Sequence, residues 1–212
     1  MAVNQELQPG ASGQRLWTSL DEYVDVDRLR ALDTSLTERL HDLSTKYPNW
    51  TSRFMTWHTT HLAPEAKPKA LLLTDKPNCK TYSEQMRDQR GFSPTLEASL
   101  FADLFAFIET MPFQYTGRIL IIFDDAGLDT PAHVDHSDPT WRQEFIWFRP
   151  NLNKRFYVLD DNSNQKVYID SYSAWFDTGK TRHGVDGCKR FAISIRVDGV
   201  FIPEFRHKLG WT

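Results

Sequence analysis

The chain has little cysteine, no long apolar run and no excess of positive charge. Only two of its 212 residues are cysteines, Cys79 and Cys188, so a disulfide scaffold is not expected and a reducing compartment is favoured. Lysine and arginine total 25 against 28 acidic residues, a net charge of -3, which speaks against nucleic-acid binding. No apolar stretch approaches the ~20 residues that span a bilayer. These absences predict a soluble cytoplasmic protein with neither nucleic acid nor membrane as partner.

The composition predicts one folded domain behind a loose tail. Hydrophobic residues make up 40% of the chain and aromatic residues 13%, enough for one substantial core. Residues 1–15 are rich in Gln, Pro, Gly and Ser and predict a flexible tail, with no apolar segment of the secretory kind. We expect a single domain over residues 16–212, in which a helical and mixed N-terminal part (16–112) precedes a β-rich part (113–206).

Two apolar stripes predict helices in the N-terminal part. The first has the spacing of three and four that places side chains on one helix face, with Asp25 or Asp27 available to cap its start; it comprises Leu29, Leu32, Leu36, Leu40 and Leu43. For the second helix, Ser93 is the expected N-cap and Pro94 the first helical residue. Its predicted buried stripe comprises Leu96, Leu100, Leu104, Phe107, Ile108 and Met111.

After Met111 the pattern changes to short strands. Ile119–Phe123 is a continuous apolar run of strand length, and turn-rich segments, including Asp198–Gly199, separate the strands that follow. Those further strands are predicted at Glu144–Phe148, Phe156–Leu159, Val167–Ile169, Ala174–Phe176 and Phe191–Val197. Many short strands predict a sandwich or barrel, so the fold class is α+β, mainly β, with the helices packed outside one β-core.

His133-Val134-Asp135 and the later His183 are the strongest candidates for chemistry. Residues two apart on a strand point the same way, so His133 and Asp135 deliver a nitrogen and an oxygen to one ion. His183, just before Gly184, can supply a third ligand from another strand. Two histidines and one carboxylate with open coordination positions are typical of non-haem Fe(II) oxygenases. His136 could coordinate instead of His133, but it would point to the opposite face from Asp135, so we expect it to support the ligands or face the substrate.

The last predicted strand carries a candidate anion site. Alternation places Arg190, Ala192, Ser194 and Arg196 on one face. Guanidinium groups bind carboxylates bidentately, and a serine hydroxyl adds a hydrogen bond, so this face suits a dicarboxylate. Either arginine could be the anchor; we favour Arg196, with Arg190 as a supporting contact.

The segment from Tyr115 to Phe205 resembles the double-stranded β-helix (jelly-roll, cupin-like) core of the Fe(II)/2-oxoglutarate-dependent dioxygenases. It looks most like their aspartyl/asparaginyl β-hydroxylase and proline hydroxylase branch. Pro131–Asp135 is similar to the proximal ligand motif of that branch. Trp175–Thr178, leading to His183, is similar to the segment before its distal histidine, and Arg190–Val197 sits at its arginine-led final strand.

The resemblance implies an iron-dependent hydroxylase. Fe(II) would be held by His133, Asp135 and His183, and 2-oxoglutarate by Arg196 with Arg190 and Ser194; O2 would be the oxidant, and succinate and CO2 would be released. Asp177 and Thr178 are candidates for orienting the ligands. The expected substrate is an amino acid or related small molecule.

Substrate contacts are expected from Trp147, Arg149, Tyr157 and His136. Two other functions remain open: a hydroxylase of protein side chains, and a non-catalytic jelly-roll module that binds a ligand or partner.

Overall fold

The structure is a computed structural model that describes residues 16–47, 69–77, 79, 82–124, 127, 129–136, 138, 142–187 and 190–211. The predicted tail, residues 1–15, and Cys188 lie outside the described residues. No described helix is long and apolar enough to cross a membrane.

Helices are concentrated in the N-terminal part of the described chain. The α-helices are α1 (Val26–Ala31), α2 (Asp33–Lys46), α3 (Tyr82–Arg87), α4 (Ala102–Ile108) and α5 (Pro203–Lys208). Two 3-10 helices, η1 and η2, span Asp21–Tyr23 and Leu96–Phe101.

Strands run through the whole described chain. Those before the β-rich part are β1 (Thr18–Ser19), β2 (Lys69–Leu72), β3 (Thr74–Asp75) and β4 (Ser93–Pro94). Those of the β-rich part are β5 (Phe113–Asp124), β6 (Thr130–His133), β7 (Phe145–Phe148), β8 (Arg155–Asp160), β9 (Gln165–Tyr168), β10 (Ser173–Trp175), β11 (His183–Asp186) and β12 (Ala192–Phe201).

The first leucine stripe forms as predicted, on two helices that meet at Leu32. Asp25 caps α1, since its carboxylate accepts a hydrogen bond of 3.0 Å from the backbone N–H of Arg28. All five leucines of the stripe are buried in the main hydrophobic core. The stripe therefore places α1 and α2 against the apolar side of the β-structure.

The second helix differs from its prediction at its start. Ser93 and Pro94 form β4, which pairs with β3, and the 3-10 helix η2 (Leu96–Phe101) begins after Thr95. Leu96 and Leu100 were expected to be buried, but they are 85% and 49% exposed, and Phe101 is buried in their place. A 3-10 helix has 3.0 residues per turn, so it rotates these side chains away from the face that an α-helix would bury.

Strands β5 to β12 form a jelly roll. They are distributed over two antiparallel sheets, with strand orders β1-β10-β7-β12-β5-β2 and β6-β11-β8-β9. The chain crosses repeatedly from one sheet to the other, for example from β5 to β6 and from β11 to β12. This is the double-stranded β-helix that the sequence motifs predict, and β1 and β2 extend its larger sheet.

The two faces of the larger sheet have different environments. On β12, Ile193, Ile195 and Val197 point outward into the core shared with the helices. Ala192, Ser194 and Arg196 line a cavity between the two sheets. Strand β5 alternates in the same way, so its inward face carries polar groups as well as apolar ones. A hydrophobic layer therefore supports the sheet from outside and leaves its inner face for a site.

The predicted turn at Asp198–Gly199 is wrong. Strand β12 continues through these residues to Phe201, with a register irregularity against β5 between Val197 and Gly199. The glycine accommodates a close approach, because a Cβ atom there would lie 2.6 Å from the backbone oxygen of Tyr115. The continuing strand keeps the Asp198 side chain buried inside the protein.

Candidate metal centre and its cavity

His133, Asp135 and His183 converge as predicted. One ligand atom from each lies within 4.8 Å of the others. Asp135 Oδ1 is 3.7 Å from Nε2 of His133 and 3.4 Å from Nε2 of His183. The side chain of His133 is 44% exposed, whereas those of Asp135 and His183 are mostly buried. The group therefore lies at the boundary between the protein interior and solvent.

Pairing of β6 with β11 brings the two histidines together. His133 is the last residue of β6, His183 is the first of β11, and the two are register partners. Asp135 lies beyond the end of β6, and its backbone N–H donates to the carbonyl oxygen of Thr178. The loop before the distal histidine thus fixes the loop after the proximal one.

Both imidazole rings are held with Nε2 toward the carboxylate. Nδ1 of His133 lies 2.9 Å from the carbonyl oxygen of Pro131, and Nδ1 of His183 lies 3.1 Å from that of Thr181. A carbonyl only accepts hydrogen bonds, so each Nδ1 is placed to donate, and each Nε2 is the ring nitrogen directed at the carboxylate. Metal-binding histidines are oriented in this way.

The second oxygen of Asp135 belongs to a buried charge network. Arg196 donates to Asp135 Oδ2 at 2.6 Å, to Asp198 Oδ1 at 2.9 Å and to Gln143 Oε1 at 2.5 Å. Asp198 also accepts from Nε of Arg118 at 2.9 Å. The hydroxyl of Thr178, which we expected near the ligands, donates to the same Gln143 oxygen at 2.6 Å. Asp135 is thereby fixed with Oδ1 directed at both histidines.

His133, Asp135 and His183 line a cavity of about 160 Å³ between the sheets. Its walls are mainly apolar and aromatic, including Phe145, Trp147, Phe156 and Phe176. Its charged lining residues are Arg118, Asp124, Asp135, Arg149, Lys154 and Arg196. A largely apolar cavity with a few placed charges is typical of a small-molecule site.

Arg149 is the most unusual of these charges. It is 4% exposed, and its guanidinium donates to the backbone carbonyl oxygens of Ser171, Lys154 and Ile169. Burial lowers the pKa of Arg149 to about 10, although more distant acidic groups oppose this effect. Its environment is therefore one that disfavours the charge it carries.

The structure brings some of the other predicted residues to the cavity and not others. Ser194, Arg196, Trp147 and Arg149 line it. Arg190 is exposed before β12 begins and is not a lining residue, so the structure does not place it as a supporting contact.

Tyr157 and His136 also lie away from the cavity. Tyr157 points to the other side of β8, where its ring packs over Gly184 and beside Lys166. The His136 ring lies against Gly179, where a Cβ atom would be 2.2 Å from the ring. Neither position favours a direct contact with a substrate in the cavity.

Sequence reasoning missed Arg118, Gln143 and Lys154 as lining or supporting residues, and it assigned Asp198 to a turn. Strand alternation could have found Arg118, because Arg118, Leu120, Ile122 and Asp124 share one face of β5. Gln143 precedes β7 in an irregular segment, and no periodic signal marks it.

No family model and no curated protein matches the sequence. Solved structures do match it. A prolyl-4-hydroxylase from Pseudomonas putida is 10% identical, with 88% of this chain and 93% of that chain covered and a TM-score of 0.48. A Trichoplax adhaerens prolyl hydroxylase, solved with a hypoxia inducible factor peptide, is 12% identical, with 93% and 88% covered and a TM-score of 0.49. A 2OG-Fe(II) oxygenase family protein from Burkholderia pseudomallei is 10% identical, with 73% and 75% covered and a TM-score of 0.39. The function is therefore inferred from this chain's own residues.

Proposed function

We propose that this protein is an Fe(II)- and 2-oxoglutarate-dependent dioxygenase that hydroxylates an amino acid or a related small molecule. The observation that carries the proposal is the convergence of His133, Asp135 and His183 within 4.8 Å at the mouth of an inner cavity. Two imidazoles and one carboxylate leave coordination positions open, as an iron that binds both a co-substrate and O2 requires.

The donor set fits a divalent metal. Each Nδ1 is satisfied by a backbone carbonyl, and Asp135 Oδ2 is satisfied by Arg196. The atoms left facing one another are two imidazole Nε2 atoms and one carboxylate oxygen. These are ligands for a first-row transition metal, and their orientation is set before the ion binds.

The cavity also fits an anionic co-substrate. Its charged lining residues include Arg118, Arg149, Lys154 and Arg196 but only two carboxylates, Asp124 and Asp135. When bound, Fe(II) and 2-oxoglutarate would together supply the O2 chemistry that hydroxylates a C–H bond and releases succinate and CO2.

The protein's own residues would position the reactants and exclude water. His133, Asp135 and His183 would hold the metal, and Arg196 would keep the Asp135 carboxylate in one orientation. Phe145, Phe156 and Phe176 would surround the reacting centre with apolar surface, which limits loss of the oxidising equivalents to solvent. We also propose a cytoplasmic location, since Cys79 is a free thiol and few cysteines suit a reducing compartment.

Anaerobic titration with Fe(II) and then 2-oxoglutarate tests the proposal. The wild-type protein should develop the weak visible absorption band of an iron–2-oxo acid chelate, and Asp135→Ala should not. On admission of air, the wild type should release succinate from 2-oxoglutarate. Wild-type protein that binds neither metal nor co-substrate would show that the jelly roll is a non-catalytic binding module.

The substrate class needs a separate measurement. The wild-type protein is tested against a panel of free amino acids and amino-acid derivatives. Its succinate release should increase when the panel compound that is its substrate is added. Stimulation by protein or peptide substrates alone would instead support a hydroxylase of protein side chains.

A further inference from the structure

We propose that Arg149, with Ser194 and the indole N–H of Trp147, binds the far carboxylate of the 2-oxo acid, and that Arg196 serves to position Asp135. This inference rests on the proposed function and names the residues of its co-substrate subsite. It differs from the expectation drawn from the sequence, in which Arg196 is the anchor.

The pairing of charges inside the barrel singles out Arg149. Arg118 pairs with Asp198, Arg196 pairs with Asp135 and Asp198, and Lys154 pairs with Asp124. Each of these cations therefore has a carboxylate in direct contact. Arg149 is the lining cation whose hydrogen bonds within the described chain all go to neutral carbonyl oxygens. A buried charge is costly unless an opposite charge compensates it.

The acidic groups nearest to Arg149 do not replace such a partner. Asp21 and Asp170 act on it only through space, and Asp21 is already hydrogen-bonded to the backbone and hydroxyl of Ser173. An anion entering the cavity would supply the missing compensation. Its binding would be strong because the surroundings have a low dielectric constant.

The guanidinium of Arg149 is also fixed before a ligand arrives. Three of its five N–H groups are used by the carbonyls of Ser171, Lys154 and Ile169, and its backbone N–H donates to Tyr172. Two N–H groups, one on each terminal nitrogen, remain for a carboxylate. A fixed arginine loses little side-chain entropy on binding, which favours affinity.

Strand register places this subsite two residues along the strands from the level of Arg196 and Trp147. Trp147 is the register partner of Arg196, which contacts Asp135. Arg149 follows Trp147 by two residues and Ser194 precedes Arg196 by two, so both lie at the next inward-facing level, roughly 7 Å further along the strands. An extended chain of four carbon–carbon bonds, as in 2-oxoglutarate, spans on the order of 5 Å between its carboxyl carbons. A molecule bound at the metal can therefore reach this level.

Trp147 provides a second, independent indication of a ligand. Its indole nitrogen is buried and has no hydrogen-bond partner within the described part of the chain, although the residue lines the cavity and is 4% exposed. An indole N–H can only donate, and a buried donor without a partner is destabilising. A carboxylate oxygen between the indole and Arg149 would satisfy both groups.

The assignment is tested by measuring, with calorimetry, how two 2-oxo acids bind to the protein loaded with Mn(II). Mn(II) takes the place of Fe(II) so that no turnover occurs. The two ligands are 2-oxoglutarate and 2-oxopentanoate, which has the same five-carbon chain without the far carboxylate. The wild type should prefer 2-oxoglutarate by about tenfold to hundredfold, the value of one charge-assisted contact. Arg149→Gln should lose this preference by weakening 2-oxoglutarate binding alone, and Trp147→Phe should reduce it. Arg196→Gln and the exposed control Arg182→Gln should retain it.

The outcomes separate this inference from the proposed function. Wild-type protein that binds neither Mn(II) nor a 2-oxo acid contradicts the proposed function itself. Mn(II) binding with equal affinity for both ligands, or a preference that survives Arg149→Gln and disappears in Arg196→Gln, overturns the Arg149 assignment alone. If Arg149→Gln does not fold, Arg149→Lys and Trp147→Phe decide: an unchanged preference in both variants overturns the assignment.

Discussion

Arg196 holds one oxygen of Asp135 at 2.6 Å and so leaves the other oxygen facing the Nε2 atoms of His133 and His183. The ring centroid of Phe145 lies 4.1 Å from the same guanidinium, which also donates hydrogen bonds to Asp198 and Gln143. An arginine with these partners would act on a bound metal through the carboxylate that it orients. This relationship joins the inner face of β12 to the loop after β6.

Arg196→Gln should weaken metal binding. Loss of a group that orients a metal ligand typically lowers metal affinity by about 10-fold to 100-fold, because Asp135 is then free to rotate away from the histidines. The change in Mn(II) affinity is measured by calorimetric titration of the purified variant with Mn(II). Arg182→Gln removes an exposed arginine from the loop before β11 and should bind Mn(II) as the wild type does. A wild-type affinity in Arg196→Gln would show that Asp135 does not need this contact.

Asp198→Asn should strongly destabilise the fold. Asp198 is 1% exposed and accepts hydrogen bonds from Arg118 on one oxygen and Arg196 on the other. Removing one partner of a buried ion pair costs about 3–5 kcal/mol, because the remaining charge is left without compensation.

Urea unfolding followed by circular dichroism gives the free-energy difference. Asp161→Asn, which removes an exposed partner of Arg182, should cost less than about 1 kcal/mol. If Asp198→Asn lowers the free energy of unfolding by no more than Asp161→Asn does, the buried ion pair does not stabilise the fold as proposed.

The convergence of His133, Asp135 and His183 could be predicted from the sequence because its signals are local. A histidine and an aspartate two residues apart, followed by a histidine at a strand end, specify the chemistry of the group. The alternation of β12 also predicted which of its side chains face inward. The leucine stripe of α1 and α2 was predictable because one apolar face repeats at a helical period.

The remaining features depend on contacts between distant segments. Asp198–Gly199 has the composition of a turn, but pairing with both β5 and β7 keeps it inside a strand. Arg149 is held by carbonyls of the segment between β9 and β10 and of the residue before β8, which no local pattern indicates. Leu96 and Leu100 fit a helical stripe, and only the 3-10 geometry of η2 exposes them.

Gly184→Ala should destabilise β11 beside the candidate metal site. A Cβ atom at this position would lie 2.5 Å from the hydroxyl oxygen of Tyr157 and 2.6 Å from the backbone oxygen of Thr130. Overpacking of this kind costs about 1–3 kcal/mol. The strand would have to move away from β6 and carry His183 with it, so Mn(II) affinity should fall as well.

The double variant Gly184→Ala/Tyr157→Phe identifies the cause. Removing the Tyr157 hydroxyl relieves one close contact but leaves those with the ring carbon Cζ of Tyr157, at 2.7 Å, and with the Thr130 backbone. Urea unfolding should therefore show only partial recovery. Full recovery would mean that the Tyr157 hydroxyl alone requires the glycine. An undiminished stability of Gly184→Ala would contradict the close approach of the strands.

Asp103→Asn should destabilise the protein in a pH-dependent way. The Asp103 carboxylate joins α4 to α2 by accepting hydrogen bonds from Arg39 at 2.5 and 2.8 Å. These bonds lower the pKa of Asp103 below its ordinary value, against the opposing effect of burial. A carboxylate with a lowered folded-state pKa contributes stability above its unfolded pKa of about 3.9, and this contribution is lost as the pH falls through the folded value.

Both side chains are about one-third exposed, so solvent screening limits the effect at pH 7 to about 1 kcal/mol. Urea unfolding of wild type and Asp103→Asn from pH 7 to pH 3 should show a difference that is constant down to about pH 5 and shrinks below about pH 4. Asp42→Asn, an exposed position on α2, is the matched control and should show little difference at any pH. A stability difference at Asp103 that persists undiminished at pH 3 would mean that the side-chain amide disturbs packing, and that the carboxylate charge is not what stabilises the contact between α2 and α4.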